Sequence, residues 1–262
     1  MQLRALRRDR AARIGPELFL FERAFADCLD RLALMQRRFE RGLLIGCPDP
    51  DWPTRLREFV NDVEVRDPGR LFAEAAAGDT IVEDGWTPAS GYYDLILAIG
   101  TLDTVNDLPR AFRSVFRSLR PGSLFLGAVS GGDTLPQLRS AMRAADLVTG
   151  IASPHVHPRI EASAIAPLLS HAGFVTPVVD VDRAQVSYTS FEDLITDLRK
   201  MGATNLLSAR SPQSLSKPAL AAARQRFAAA ADGSRTVETF EILHFAAWTP
   251  PHSPQLRRMM SR

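Results

Sequence analysis

The sequence predicts an α/β fold in which parallel strands are joined by helices. Two observations support this fold: short apolar runs alternate with helical segments along the chain, and several of these runs end in a glycine or an acid. Such alternation is typical of parallel sheets, because the chain must cross back before the next parallel strand can pair. With 262 residues, 45% of them hydrophobic, the chain is long enough for one large domain.

The elements follow in chain order. Apolar residues at helical spacing predict a first long helix over residues 17–35. Apolar runs then predict strands at 42–46, 63–65, 80–82, 94–100 and 123–130, with helices between them at 52–61, 70–77 and 108–119. In the second half we expect helices at 135–145, 162–172, 191–201 and 218–231, and strands at 174–180 and 236–248.

The two ends of the chain differ from its middle. The arginines near the start (Arg4, Arg7, Arg8, Arg10 and Arg13) predict a solvated helix with a basic face, and a mitochondrial transit peptide is the alternative. We therefore divide the chain into a helical cap at 1–39, a main domain at 40–249 and a loose tail at 250–262, which is rich in proline and basic residues.

Composition excludes several classes of protein. The net charge of +2 argues against nucleic acid as a partner. The apolar runs are shorter than the ~18–20 residues that span a bilayer. Cys28 and Cys47 indicate reduced thiols. We expect a cytoplasmic protein, with the mitochondrial matrix as the alternative.

A ligand site is predicted beyond the carboxyl ends of the strands. Gly46 ends the first strand and Asp67 ends the second, 21 residues later, close to the ~20 residues typical of nucleoside-binding units. A glycine lets the backbone bend toward a ligand, and an acid can bind ribose hydroxyls. Taken alone, the pattern fits an ordinary loop and a solvated Asp67 equally well.

Several blocks in the middle of the chain carry a resemblance. They are VNDLPRA at 105–111, LRPGSLF at 119–125, GGDTLPQLR at 131–139, SPH at 153–155 and LLSHAGF at 168–174. Together they resemble class I S-adenosylmethionine (SAM)-dependent methyltransferases. Within that superfamily the chain looks most like the branch of the malonyl-carrier-protein methyltransferase of biotin synthesis and the methyltransferase-like assembly factor of respiratory complex I. The resemblance covers about residues 4–248.

The resemblance implies a three-layer, Rossmann-like sheet of seven strands with the last strand antiparallel, preceded by a helical extension. It also implies a SAM site. Matched by position, the cofactor-binding residues are Gly46 in the cofactor loop, Asp67 at the ribose, Glu83 and Asp84 near the adenine, and Ala98 to Gly100 under the methionine end.

The cofactor loop departs from the family pattern. Leu44 stands where the family has an acid, and Pro48 and Pro50 stand at the second and third glycine positions. Asp103-Thr104 replaces the usual His-Trp pair. Proline has a fixed φ and no N–H, so the ring at position 48 is expected to crowd the cofactor. These departures predict weakened or altered SAM binding, and we hypothesise that an acid of the loop, Asp49 or Asp51, replaces the lost one.

Three residues are candidates for catalysis. His155 lies in a proline-flanked loop and can act as a general base or pack the loop. Tyr188 matches a family tyrosine and can equally be a core aromatic. Asp133 can position a substrate or, with Thr134, cap the following helix. No acid or cysteine cluster joins His155 and His157 in sequence, so no metal site is predicted.

Two functions of different class follow. The first is SAM-dependent methyl transfer to a protein or an acyl-carrier-linked substrate, with an arginine hydroxylase-type activity as a variant implied by the complex I branch. The second is a non-catalytic pseudo-methyltransferase that serves as a binding or assembly factor, since fold does not establish activity. Leu44 and the two prolines favour the second function, whereas Asp67 and Glu83 favour retained ligand binding.

Overall fold

A seven-stranded mixed sheet forms the centre of the protein, in a computed structural model that describes residues 2–251. The strands are β1 (Phe39–Ile45), β2 (Val60–Asp67), β3 (Asp79–Thr80), β4 (Tyr93–Ile99), β5 (Leu119–Ser130), β6 (Val175–Tyr188) and β7 (Thr236–Trp248). They lie in the order β3-β2-β1-β4-β5-β7-β6. β7 is antiparallel to both of its neighbours, and the other pairs are parallel. The predicted fold class is confirmed.

Helices cover the sheet on both faces. They are α1 (Gln2–Ile14), α2 (Phe19–Leu34), α3 (Trp52–Leu56), α4 (Arg70–Ala75), α5 (Leu108–Ser118), α6 (Pro136–Thr149), α7 (Ala162–Ala172), α8 (Phe191–Lys200) and α9 (Lys217–Ala228). Over residues 2–251, the longest apolar stretch of helix falls short of what crossing a membrane requires.

Two apolar clusters lie against the sheet. β4 is buried along its whole length, as expected of a central parallel strand. In one cluster Phe112 packs edge-on against Phe125 and Phe245. In the other, Phe25 of α2 stacks on Trp52 of α3 with ring centroids 4.3 Å apart. A third cluster joins α6, α8 and α9. The sheet is thus fixed from both sides, and a cleft lies at its carboxyl edge.

Some predicted boundaries were wrong. The helix predicted over 52–61 ends at Leu56, because residues from Val60 onward pair with β1. The strand predicted over 174–180 runs on to Tyr188, because β7 pairs with it along its full length. Its alternation of apolar and polar residues fits an edge strand of this kind.

The first helix is also less solvated than predicted. α1 is a helix, but Arg8 and Ala11 are buried against the rest of the protein. The arginines therefore do not form one solvated face. Most of the tail predicted at 250–262 lies outside the described residues.

Candidate functional site

The turn after β1 requires glycine at position 46. Gly46 has φ +84°, and a Cβ atom there would lie 2.2 Å from the carbonyl oxygen of Ile99 and 2.5 Å from Cγ2 of Thr101. The next residue, Cys47, is buried. Burial raises the pKa of its thiol, so the side chain stays protonated and serves packing.

The rest of this loop offers few groups to a cofactor. Leu44 is buried in β1 between β2 and β4, so no carboxylate stands at its position. Pro48 is buried and has no N–H to donate. Asp49 accepts a hydrogen bond from the Asp51 N–H at 2.9 Å, and both acids lie outside the lining of the cavity described below. The hypothesis that one of them replaces the lost acid gains no support.

Asp67 lies at the carboxyl end of β2, fully buried, with its carboxylate saturated by hydrogen bonds. The backbone N–H of Cys47 donates to Oδ2 at 2.8 Å, and that of Gly69 donates to Oδ1 at 2.7 Å. Arg8 of α1 donates from Nε to Oδ1 at 2.7 Å and from Nη2 to Oδ2 at 2.5 Å. These donors fill the roughly four acceptor positions of a carboxylate, so none remains for a ribose hydroxyl.

Arg8 is itself 4% exposed. Burial lowers the pKa of its guanidinium, but the charge of Asp67 and the hydrogen bonds to it raise the pKa by more, so Arg8 keeps its positive charge. Two further contacts hold α1 in place. A Cβ on Gly69 would lie 2.7 Å from Cβ of Arg8, and Asp9 accepts the N–H of Leu71 in α4 at 2.9 Å.

A second arginine of α1 binds the next predicted acid. Arg4 donates from Nη1 and Nη2 to the two oxygens of Glu83, each at 2.6 Å, and from Nη2 to the carbonyl of Thr101 at 2.6 Å. Glu83 is 2% exposed. The neighbouring Asp84 accepts the N–H of Asn106 at 3.1 Å, so it supports the loop after β4.

These contacts define what we call the nucleoside half of the cleft: the Gly46 turn, Asp67 and Glu83. The structure brings these predicted residues together, but their carboxylates face Arg8 and Arg4. With α1 in this position the residues do not fit SAM, because guanidinium groups occupy the acids that would bind its ribose and adenine.

The other half of the cleft, which we call the open half, contains a cavity of about 900 Å³ including its mouth. Its apolar walls include Leu20, Phe21, Leu135, Leu198, Met201 and Phe240. Gly100 lines the cavity with φ +61°, and a Cβ there would lie 2.3 Å from the Phe21 ring. Ala98, the other end of the segment predicted under the methionine end, is buried within β4.

A buried ion pair lies in the open half. Arg159 donates from Nη1 to Oδ2 of Asp103 at 2.6 Å, and Ser130 donates to the same oxygen at 2.9 Å. The side chains of Asp103 and Arg159 are 10% and 5% exposed. Burial raises the pKa of Asp103, but the charge of Arg159 and the Ser130 hydrogen bond lower it by more, so the carboxyl stays ionised.

The three candidate catalytic residues lie apart. His155 is bound to Asp146, with Nε2 2.7 Å from Oδ1, and lines a neighbouring cavity. Tyr188 is buried in the cluster of α6, α8 and α9, and burial raises the pKa of its hydroxyl. The Asp133 side chain is 69% exposed and pairs with Arg183 at 3.1 Å. The lining of the open half includes none of the three, so their catalytic roles stay predictions.

His157 lines the open half, whereas His155 does not. Burial lowers the pKa of His157, and its Nε2 accepts the N–H of Leu206 at 3.0 Å, so the ring is neutral. The cavity lining thus contains the neighbour of the predicted histidine, and a catalytic role for His155 stays a prediction.

The predicted helix cap after β5 was also wrong. α6 begins at Pro136, and its N-cap position is Leu135 with φ +63°. Glu238 of β7 accepts the N–H groups of Gln137 and Leu138 at 3.2 Å and 2.8 Å. A distant carboxylate thus replaces the predicted cap by Asp133 and Thr134.

Sequence reasoning missed Arg4, Arg8 and Arg159 as site residues. The first two were noted as part of a basic segment, and Arg159 lies in a loop with no motif. Their partners are 79, 59 and 56 residues away in sequence. The one available signal was Asp103, an acid where the resemblance implies a histidine.

Comparison with known proteins agrees with this architecture. The methyltransferase domain family matches residues 18–177. The chain is 30% identical to the arginine-hydroxylase NDUFAF5, mitochondrial, of Danio rerio, over 90% of this chain and 76% of that protein. It is 32% identical to the malonyl-[acyl-carrier protein] O-methyltransferase of Xylella fastidiosa, over 64% of this chain and 56% of that protein.

Solved structures share the fold. The YcgJ protein of Bacillus subtilis superposes with a TM-score of 0.57 at 13% identity, over 85% of this chain and 97% of that one. Phosphoethanolamine N-methyltransferase 2 of Haemonchus contortus was solved with S-adenosyl-L-methionine. It superposes with a TM-score of 0.53 at 13% identity, over 86% of this chain and 52% of that one. The chain therefore belongs to the SAM-dependent methyltransferase family, in the branch that contains NDUFAF5 and the malonyl-carrier-protein methyltransferases.

Proposed function

We propose that this protein is a non-catalytic member of its family that acts as a binding and assembly factor. One observation carries the proposal: Arg8 binds both oxygens of Asp67 inside the protein. SAM can reach Asp67 only if this pair separates. Removing one partner of a buried ion pair costs about 3–5 kcal/mol, which corresponds to a loss of affinity of roughly 10²- to 10⁴-fold.

The loop of the nucleoside half adds to this barrier. Leu44 supplies no carboxylate for the ammonium group of the methionine end, and Pro48 supplies no N–H. A displaced α1 would thus uncover a site that still lacks two of the usual contacts. The position of α1 over Asp67 and the altered loop both favour the non-catalytic function.

The partner that we propose is a protein or an acyl-carrier-linked molecule. Of the relatives of this chain, NDUFAF5 is named for action on arginine, and the bacterial methyltransferases are named for a malonyl group on a carrier protein. Through the resemblance to the complex I assembly factor, we propose a role in the assembly of that complex. Two free, buried cysteines accord with a reducing compartment, for which we propose the cytoplasm, with the mitochondrial matrix as the alternative.

A second function is favoured by the way Asp67 is held. The N–H groups of Cys47 and Gly69 orient its carboxylate independently of α1. If α1 moves away, Asp67 and Glu83 stand where the family binds its cofactor, beside the open half. The second candidate is therefore a SAM-dependent transferase, or an arginine hydroxylase-type enzyme, that works with α1 displaced.

Titration calorimetry separates the two functions. SAM and S-adenosylhomocysteine are titrated into the full chain, with Asp67→Ala as the matched control. The proposal predicts no saturable heat from the wild-type protein at ligand concentrations up to about 1 mM, where a family enzyme with a working site would be saturated. Micromolar binding that Asp67→Ala abolishes would overturn the proposal and support the transferase.

A further inference from the structure

The open half contains an arginine with an unused hydrogen-bonding edge. The side chain of Arg159 is 5% exposed and donates to Asp103 through Nη1 at 2.6 Å. Within residues 2–251 its guanidinium makes no other hydrogen bond, and its buried Nε atom has no partner. Nε and Nη2 form the side edge of a guanidinium, whose two N–H groups match the two oxygens of a carboxylate.

Another arginine of this protein shows what that edge does. Arg8 binds Asp67 through Nε and Nη2, in two parallel hydrogen bonds. The side chain of Arg159 is buried to a similar degree, and its Nη1 atom, which is not part of the side edge, already binds Asp103. Its side edge therefore carries the same two donors as that of Arg8 but has no carboxylate partner among the described residues.

The charges around Arg159 can accommodate one anion. The other charged side chains of the cavity are paired: Arg4 with Glu83, Arg8 with Asp67, and Glu241 with Arg183. Asp103 and Arg159 neutralise each other. Next to them, Arg139 donates to the carbonyls of Thr134 and His157 and has no carboxylate partner among the described residues.

The pKa of Arg139 supports this arrangement. Burial and the nearby positive charge of Arg159 lower it. His157, the titratable neighbour that lines the cavity, is neutral. The local balance is one excess positive charge, which one carboxylate would neutralise.

The walls beyond the ion pair are hydrocarbon. Leu20, Phe21, Leu198, Met201 and Phe240 line the cavity. Such walls stabilise an alkyl chain and offer nothing to a second charged group. A suitable ligand therefore has one anionic head and an apolar body.

We propose that the open half binds a free monocarboxylic acid with an alkyl chain. The carboxylate accepts hydrogen bonds from Nε and Nη2 of Arg159, and the chain lies against the apolar walls. Asp103 orients the arginine, and Arg139 balances the added charge. The inference rests on the proposed function, because Arg4 and Arg8 line this cavity from α1 in its closed position.

Three matched probes test the proposal by titration calorimetry on the full chain without SAM. Octanoate is expected to bind at least tenfold more tightly than octanamide, which lacks the charge, and than glutarate, whose short chain ends in a second carboxylate. Equal affinity for octanoate and octanamide would overturn the role of Arg159. Equal affinity for octanoate and glutarate would overturn the role of the apolar walls.

A charge-balanced variant assigns the binding to the pair. Asp103→Leu/Arg159→Met removes both charges, so no unpaired charge stays buried. It is expected to lose the tenfold preference for octanoate over octanamide, whereas Arg143→Met, at an exposed arginine of α6, keeps it. A preference that survives in the double variant would overturn the proposal.

If the double variant does not fold, Arg159→Lys takes its place. Lysine keeps the charge but lacks the two-pronged edge, and octanoate affinity is expected to fall at least fivefold. An unchanged affinity would overturn the proposal. Since these titrations contain no SAM, they are separate from the test of the proposed function: SAM binding by the wild type, with the octanoate preference intact, would overturn that function alone.

Discussion

The two halves of the cleft contain the same kind of ion pair but differ in where its members come from. In the nucleoside half, Asp67 belongs to the sheet, and Arg8 belongs to a peripheral helix 59 residues earlier. In the open half, Asp103 lies in a short 3-10 helix after β4 (Leu102–Thr104), and Arg159 lies in the loop before α7. A buried carboxylate needs hydrogen-bond donors, and a side chain of a neighbouring helix can supply them as well as a cofactor can. The presence of a family acid therefore says little about whether its cofactor binds.

The difference also explains why only one half is open. Arg8 uses the side edge of its guanidinium on Asp67, which closes that half. Arg159 uses a single nitrogen on Asp103 and leaves its side edge free. The number of bonds that each arginine makes, rather than its charge, distinguishes a filled site from an available one.

The largest expected effect comes from removing the arginine that closes the nucleoside half. Arg8→Ala leaves Asp67 buried with two backbone donors and no counter-charge, so the free energy of unfolding should fall by about 3–5 kcal/mol. Urea unfolding followed by circular dichroism measures the change. Arg10→Ala, at an exposed arginine of the same helix, should change it by less than about 0.5 kcal/mol. A loss below about 1 kcal/mol for Arg8→Ala would contradict the buried pair.

The Gly46 turn gives a somewhat smaller effect. Gly46→Ala combines a left-handed backbone with a Cβ 2.2 Å from the Ile99 carbonyl, so unfolding should require about 2–4 kcal/mol less. Gly122 also has a positive φ, +70°, but no atom lies within 4 Å of its Cβ position. Gly122→Ala should therefore cost about 1–2 kcal/mol. Equal losses in the two variants would show that the turn is not crowded.

The smallest effect is a dependence on pH that originates in the open half. Burial lowers the pKa of His157 in the folded protein, so the unfolded chain binds its proton more readily. The stability that His157 contributes is present above its unfolded pKa of about 6.5 and is lost as the pH falls toward the folded value, by at most about 1.4 kcal/mol per pH unit.

Variants assign this slope to a residue. His157→Gln should flatten the decline in unfolding free energy between pH 7 and 5, measured by urea titration at each pH. Part of the slope should remain, because burial also lowers the pKa of His244. His171→Gln, at an exposed histidine, should leave the curve unchanged. An equal slope in wild type and His157→Gln would disprove the assignment.

Most of the fold could be predicted from the sequence because its signals are local. The buried strand β4, which ends just before Gly100, is an apolar run, and the helix ending before Gly173 carries its own stop signal. The length of β6 could not be predicted in the same way. It depends on pairing with β7, from Tyr188 with Thr236 to Val175 with Trp248, and about half of its residues are polar.

The site residues show the same difference between local and long-range signals. Gly46, Asp67 and Glu83 could be predicted as candidates because they follow the ends of strands, and the family resemblance points to the same positions. The arginines that bind them were not found, because Arg8 and Asp67 meet only after α1 packs on the finished sheet. The resemblance gives the positions of residues that would bind the cofactor. It gives no position for side chains, such as those of Arg4 and Arg8, that bind the same acids in place of the cofactor.

The central claim is that Arg8 occupies Asp67 in solution, and a double-mutant cycle tests it most directly. The free energy of unfolding is measured for wild type, Arg8→Ala, Asp67→Asn and the combined variant. The structure predicts that the sum of the losses in the two single variants exceeds the loss in the double variant by at least about 2 kcal/mol. Each single change breaks the same buried pair, so its loss is counted twice in the sum. Losses that add to within about 0.5 kcal/mol would show that α1 does not close the nucleoside half.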